Sequence, residues 1–488
     1  MTAATNDVAA APPGEIAIPA PARFAHAEYF GHPKGLAVLF ATEMWERFAF
    51  FGNAALIVLY MVSYLLVPGH VETVIGFGPV RAGLGVLFGA HATQPLASAL
   101  FGFYSGLAYL SPILGGFLAD RLLGQRHSVV IGAVLMAAGQ FMMAFDALFL
   151  FALVLLIFGN GALKPNVSTQ VGALYPLGDP RRDRGYSIFY LGINIGAFLA
   201  PLVCGTLAAL YGWHTAFAAS GVGMLISLAI YLFGLRTLAP EEHARPAEAR
   251  AKELPLTDKE RRAVAALFLV CALSIFFWAT YDQQNNTLLL WIEEDTRRSL
   301  SIFGWQVEIP TAWFLSLDPL MVFAFTPVIV RLWAWQATRG IRRTLVTKMA
   351  FACWAVALAN LVLIAAAFEI GPDGRSSAWW IVLYFALVTI GELYLAPAGL
   401  SLIATIAPLR LRSLLMGVWL AVTFPADVFG GWLGGFWGSM NKMEFYFLIA
   451  LIAGFGGLTI WVLRPIVWAA WPDETKQPDA ETADDAQN

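Results

Sequence analysis

Apolar residues fall into twelve runs near or above the length needed to cross a bilayer. They cover residues 36–66, 95–119, 127–146, 148–174, 187–211, 215–238, 263–291, 311–335, 345–367, 377–407, 414–438 and 444–466. This pattern predicts an all-α membrane protein of twelve transmembrane helices. Glu43, Glu46 and Arg47 interrupt the first run. A charge near the bilayer centre costs roughly 2.5–3.5 kcal/mol even on the mildest scale, so these residues need partners and a water-filled cavity. With a helix turning about 100° per residue, all three fall on one face. The Gly-rich stretch between Leu66 and Pro95 leaves room for a short interfacial helix. The one long polar interior loop, Ala239–Arg262, carries Pro240, Pro246 and Pro255 and splits the runs six and six. The organisation expected is a flexible N-terminus over 1–34, a six-helix bundle over 35–238, a cytoplasmic linker over 239–262, a second six-helix bundle over 263–471 and a disordered acidic tail over 472–488.

Composition agrees. The 488 residues are 59% hydrophobic and only 13% charged, with a mean hydropathy of +0.67. A soluble protein carries about 25% charged residues. The net charge of −3 says little about partners and gives no reason to expect nucleic acid. Cys204, Cys271 and Cys353 lie in apolar runs without metal spacing and read as small core residues. Residues 1–22 are rich in Ala and Pro and lack a basic start followed by an apolar core, so no cleavable signal peptide is expected. Basic residues concentrate after even-numbered runs: Arg121 and Arg126, then Arg181, Arg182 and Arg184, and so on to Arg410 and Arg412. The positive-inside rule then puts both termini in the cytoplasm. Two halves of six spans joined by a cytoplasmic loop suggest a rocking carrier with its site near the midplane.

Beyond the first helix, the ionisable residues inside apolar runs are Lys164 in the first half and Asp282, Asp318, Glu392 and Asp427 in the second. Opposite charges on opposite halves can pair across a cavity. A proton landing on the acid breaks such a pair, and a substrate can replace either partner, which supplies the differential interaction a two-state carrier needs. Each residue also has a plainer reading. A single buried acid can be a structural ion pair or lie close to a helix end. Trp278 and Trp419 can be packing or lipid-facing residues. Tyr104 can simply hydrogen-bond a neighbouring helix, and Asn194 can join two helices, as amides do in membranes. A purely structural role for the whole set of charges is harder to sustain, because each one needs compensation.

The motifs around these residues resemble one family. Glu43-Met44-Trp45-Glu46-Arg47-Phe48-Ala49-Phe50-Phe51-Gly52 resembles the ExxERFxYYG signature of the proton-coupled oligopeptide transporters, a branch of the major facilitator superfamily. The stretch Gly115–Arg121 resembles the superfamily's loop after the second span. Leu163–Ser168, Phe189–Gly196, Phe277–Gln283 and Gly391–Ser401 resemble the family's motifs in spans four, five, seven and ten, in order along the chain. The resemblance implies the major facilitator fold of two six-helix bundles and gives these residues roles. Glu43, Glu46 and Arg47 would couple proton movement, and Asp282 would be the protonatable partner of Lys164. Lys164 would also hold the peptide carboxylate, and Glu392 with Asn194 its amino terminus. Tyr104, Trp278 and Trp419 would line the pocket. The implied function is proton-coupled import of di- and tripeptides through the plasma (inner) membrane, driven by the proton gradient without a cofactor; the sequence does not fix the oligomeric state, and a monomer is the expectation.

The sequence departs from the family pattern in one direction. Phe50-Phe51 replaces a tyrosine pair, and Ala54 stands where the family has an arginine. Asp318 and Asp427 stand where it usually has asparagine, making Asp318 a further substrate-binding candidate. Arg47 and Lys164 then face Glu43, Glu46, Asp282, Asp318, Glu392 and Asp427. That many carboxylates cannot all ionise in a low dielectric. Either Asp318 and Asp427 stay neutral and act as Asn would, or the protein takes substrates with an extra amine or carries more than one proton. Ala239–Arg262 is too short for the two additional helices of many bacterial members. Other readings are a proton-coupled carrier of an amino acid, nitrate or drug-like molecule, and a peptide sensor that moves nothing. A membrane enzyme is disfavoured, because His91, His127 and His214 are scattered and the loops are short.

Overall fold

The computed structural model describes residues 28–176, 178–240, 256–302, 305–339, 344–370, 374–408 and 411–469. The first 27 residues, most of the interior linker and the tail from residue 470 lie outside the described residues, so the flexible N-terminus, linker and disordered tail expected there fall largely outside them too.

In chain order the helices of the first half are α1 (Lys34–Tyr60), α2 (Phe77–Phe88), α3 (Thr93–Leu118), α4 (Gln125–Met142), α5 (Phe149–Ala173), α6 (Arg181–Tyr211) and α7 (Trp213–Gly234). In the second half they are α8 (Asp258–Tyr281), α9 (Thr287–Asp295), α10 (Leu317–Thr338), α11 (Leu345–Phe368), α12 (Trp379–Ile406), α13 (Arg412–Ala421), α14 (Thr423–Gly434) and α15 (Lys442–Ala469). Helix α2 is the short connecting helix expected between Leu66 and Pro95. The strands among the described residues form three two-stranded pairs, all in connections.

Among the described residues, eleven helical segments are long and apolar enough to cross a membrane. The twelfth expected span is α4, whose 18 residues begin Gln125-Arg126-His127. Its polar first turn keeps it below the others in apolar length, yet it packs between α5 and α7 like its neighbours. Large apolar side chains open outward, including Phe158, Phe233, Leu358 and Phe455. Water would penalise such a surface; hydrocarbon does not.

Three runs that read as continuous spans are bent or broken. The seventh ends its first helix at Tyr281, passes through a 3-10 turn over Asp282–Asn285 and restarts as α9. The eighth opens on a 3-10 turn over Thr311–Ser316, and the eleventh is divided at Val422 between α13 and α14. Broken backbone at membrane depth must be re-satisfied by neighbours. Gln283 does this in the seventh span: its Nε2 donates to Ala279 O at 3.1 Å and to Gly430 O at 2.9 Å, and its Oε1 accepts from Thr287 Oγ1 at 3.0 Å.

Helix α1 packs on α6 and α7, α4 on α5, and α3 on α5; in the second half α11 packs on α12 and α15, and α8 on α14 and α15. The halves meet mainly through α3 against α14, and through α6 against the turn before α10. Gly102 allows the first contact. A Cβ there would run into the Asp427 carbonyl oxygen and lie 2.9 Å from Gly431 Cα. Small residues are how membrane helices approach this closely. Hydrogen bonds reinforce both contacts. Gln94 Nε2 donates to Gly434 O at 2.8 Å, Ser98 Oγ to Asn286 Oδ1 at 2.8 Å, Ser316 Oγ to Phe198 O at 2.7 Å, and Trp313 Nε1 to Leu202 O at 3.0 Å. All lie toward the end that carries the odd-numbered connections, so the halves are closed at that end.

Candidate functional site

The first half contributes a cluster centred on Arg47, which is 3% exposed beside Glu43 at 1% and Glu46 at 0%. Arg47 makes a two-pronged pair with Glu46: Nη2 donates to Oε1 at 2.6 Å and Nε donates to Oε2. Its Nε is 3.4 Å from Glu43 Oε1 one helical turn back, and Nη2 also donates to Asn160 Oδ1 on α5 at 3.2 Å. Asn160 is aimed by its own amide, which donates to Ala108 O on α3 at 2.6 Å. The guanidinium lies 4.9 Å from the centroid of the Phe50 ring, so the phenylalanine that replaces the expected tyrosine serves as a cation–π platform. Glu43 Oε2 is buried without a hydrogen-bond partner. Lys164, on α5, places its Nζ 4.7 Å from the centroid of Tyr109 on α3 and is in electrostatic reach of Glu43, Glu46 and Arg47.

The second half contributes a carboxylate cluster. The Tyr281 hydroxyl stands 3.0 Å from Glu392 Oε2 on α12 and 3.2 Å from Asp318 Oδ2 in the first turn of α10. Asp318 Oδ1 accepts from Thr389 Oγ1 at 2.6 Å. Asp282 sits at the break of the seventh span and accepts from Asn285 Nδ2 at 2.9 Å. Trp278 stands one turn before it, edge-on to Tyr281 with ring centroids 5.4 Å apart. Lys164, Asp282, Asp318 and Glu392 are each half-buried, as befits side chains around a cavity.

The expected Lys164–Asp282 pair is not joined: among the described residues no ion pair links them. Lys164 sits instead with the Glu43–Glu46–Arg47 cluster of its own half. Asp427 spans the boundary, accepting from Ser105 Oγ on α3 at 2.8 Å. Three other candidates are packed in. Tyr104 is 5% exposed and its hydroxyl accepts from Asn53 Nδ2 at 3.2 Å. Asn194 donates to Tyr190 O, one turn back in its own helix, at 3.0 Å. Trp419, 5% exposed, has its ring wedged against Gly399 of α12.

Sequence reasoning missed five residues that the fold brings into the site: Tyr109, Asn160, Tyr281, Thr389 and Ser105. Tyr281 was within view, next to Asp282 inside a quoted motif. The others are ordinary polar residues in apolar helices, and only the three-dimensional arrangement singles them out.

Comparison with known proteins fits this geometry. The family model described as the POT family matches residues 126–248 and 252–442. The chain is 30% identical to an uncharacterized transporter, YclF, of Bacillus subtilis (strain 168), over 90% of this chain and 95% of that protein. It is 29% identical to a di-/tripeptide transporter of Lactococcus lactis subsp. cremoris, over 89% and 96%. Among solved structures, a mutant of a peptide transporter POT in complex with alafosfalin superposes with a TM-score of 0.78 at 28% identity, covering 91% of this chain and 97% of that one. A multi-pass helical fold with charged residues of both signs facing its centre, and relatives matching nearly end to end, lead to one conclusion: the chain belongs to the POT family, the proton-coupled oligopeptide transporters.

Proposed function

We propose that this protein is a symporter that imports di- and tripeptides, driven by the proton gradient, across the plasma (inner) membrane. The observation that carries the reading is the division of charge. The half-buried cation Lys164 belongs to the first bundle and the half-buried carboxylates Glu392 and Asp318 to the second. A peptide is a zwitterion, so it can engage both halves at once, its carboxylate toward Lys164 and its ammonium toward Glu392. The named relatives, such as the Lactococcus di-/tripeptide transporter, fit that substrate class.

Proton coupling follows from the first cluster. With Glu43 and Glu46 ionised, Arg47 and Lys164 are held by carboxylates of their own half. Protonation of Glu43 or Glu46 weakens that hold and leaves Lys164 available to a substrate carboxylate. The bundles over 35–238 and 263–471 then rock about the bound peptide. If the basic loops are cytoplasmic, the closed end faces outward and the cavity opens toward the cytoplasm, with both termini on that side.

The test is uptake of labelled dialanine by purified protein in liposomes, with and without an inward proton gradient, repeated with Lys164→Ala and Glu46→Gln. Gradient-driven accumulation that both substitutions abolish is expected. Unchanged accumulation in both would refute the coupling, and no dialanine uptake by the parent protein would refute the peptide assignment.

A further inference from the structure

The Tyr281 hydroxyl has one proton and two carboxylate neighbours, Glu392 Oε2 at 3.0 Å and Asp318 Oδ2 at 3.2 Å. It can donate fully to only one. The other carboxylate oxygen then faces the phenol's lone pairs, an arrangement that becomes favourable when that carboxyl carries a proton and donates to the phenol oxygen. Gln284 is a further hydrogen-bond neighbour of the phenol and leaves it one lone pair for that proton. Asp318 Oδ1 is taken by Thr389 Oγ1 at 2.6 Å. Among the described residues, no lysine or arginine forms an ion pair with Asp318 or Glu392; the charge in electrostatic reach of Glu392 is Asp318. The other titratable groups around the pair are phenols and acids. They are Tyr190 on α6, Tyr384 on α12, Tyr109 on α3, Asp282 beside Tyr281, and Asp427 on α14 beyond it. Among the described residues, the pair therefore has the capacity for two negative charges, no protein cation in an ion pair with it, and side chains that are only half-buried.

We infer that Asp318 and Glu392, bridged by Tyr281, form a site for two positive charges, which takes the peptide's amino terminus together with either one proton or the cationic side chain of a lysine- or arginine-containing peptide. This rests on the peptide reading above and deepens it. For a neutral peptide, the α-ammonium meets one carboxylate, and the shared proton stays on the other. For a cationic peptide, the side-chain ammonium or guanidinium replaces that proton. The carboxyl O–H bond breaks, the proton leaves to cavity water, and the cation becomes the donor in its place. Site and ligands carry the same total charge either way, so the two substrates move the same net charge while differing by one proton.

The experiment uses the purified full-length chain in liposomes and measures protons moved per peptide from reversal potentials, with dialanine and with alanyl-lysine. Dialanine is expected to carry one proton more than alanyl-lysine. Acidification is expected to weaken alanyl-lysine binding, by up to tenfold per pH unit where the pair is protonated. In Asp318→Asn, a substitution of nearly the same shape, the one-proton difference is expected to vanish. Its alanyl-lysine affinity is expected to fall about tenfold more than its dialanine affinity. Equal proton counts for both peptides in the parent protein, or an unchanged difference in the variant, would overturn the inference. A second readout does not depend on transport. Infrared difference spectra of the purified protein through a pH titration are expected to show a protonated-carboxyl band that Asp318→Asn removes and Tyr281→Phe displaces in frequency or midpoint. If no peptide is transported but the band behaves so, the shared proton stands and the substrate assignment fails. A band indifferent to both substitutions sinks the shared proton itself.

Discussion

Ser105 Oγ on α3 donates to Asp427 Oδ2 on α14 at 2.8 Å, and the bond crosses from one half of the molecule to the other. Both residues are buried, at 7% and 4% exposure, so water does not compete for the bond while the halves are closed. Such a bond contributes about 1 kcal/mol or more, and it exists only in the closed arrangement. Ser105→Ala should therefore shift the population toward separation of that end by roughly fivefold. Spin labels at the exposed positions Val86 and Val307, one on each half, would report it as a longer distance distribution. An unaltered distribution would mean the bond carries no weight in closure.

Shape makes the same contact sensitive to added volume. A Cβ at Gly102 would meet the Asp427 carbonyl oxygen and stand 2.9 Å from Gly431 Cα. Overpacking costs roughly 1–3 kcal/mol, here charged to the closed state alone, because the obstacle is on the other half. Gly102→Val should lower uptake about tenfold or more while leaving the thermal midpoint of each half nearly unchanged. Uptake within about twofold of the parent would show that α3 and α14 need not approach this closely during the cycle.

Much of the fold was legible because hydrocarbon imposes a simple rule: long apolar runs become helices, and their positions could be read directly. What could not be read was how the interruptions are held together. The polar stretch Asp282–Asn286 marks a break in the run 263–291, but not what repairs it: Gln283 Nε2 donates to the freed Ala279 O, and its second bond, to Gly430 O, needs α14 alongside. Helix α4 shows the opposite limit. Its polar first turn weakens the membrane signal, and packing against α5 and α7 places it regardless. For the site, rare charges in apolar helices led to Glu43, Glu46, Arg47, Lys164, Asp282, Asp318, Glu392 and Asp427. Their partners were hidden. Lys164 was expected opposite Asp282, and an isolated sequence carries no distance between the two spans. It sits with Tyr109 and its own half's acids instead.

Phe50 gives the departure at the first motif a physical content. Its ring lies under the Arg47 guanidinium at 4.9 Å, so losing the expected tyrosine hydroxyl leaves the π-face in place. A cation–π contact contributes roughly 0.5–2 kcal/mol. Phe50→Leu should loosen Arg47 from its position between Glu46 and Asn160 and lower gradient-driven uptake about two- to thirtyfold, whereas Phe50→Tyr should preserve it. The comparison is made at a fixed inward proton gradient. Equal losses in both variants would assign the effect to volume rather than to the ring face.

Tyr109 and Lys164 make a matching pair on the substrate side of the cluster, with the ammonium 4.7 Å from the ring centroid. The ring cannot neutralise Lys164, so protonation of Glu43 or Glu46 still leaves the ammonium available to an anion, and the ring holds the flexible four-carbon chain where that anion must come. Its loss should therefore weaken carboxylate binding before and after closure alike, which is the signature of uniform binding: a higher KM with little change in kcat. Tyr109→Leu should raise the KM for dialanine about two- to fivefold, in line with roughly 0.5–1 kcal/mol for such a contact. Tyr109→Phe should leave KM close to the parent value, since the π-face remains. A fall in kcat with KM unchanged would instead place Tyr109 in the conformational step, and the positioning role argued for it would not hold.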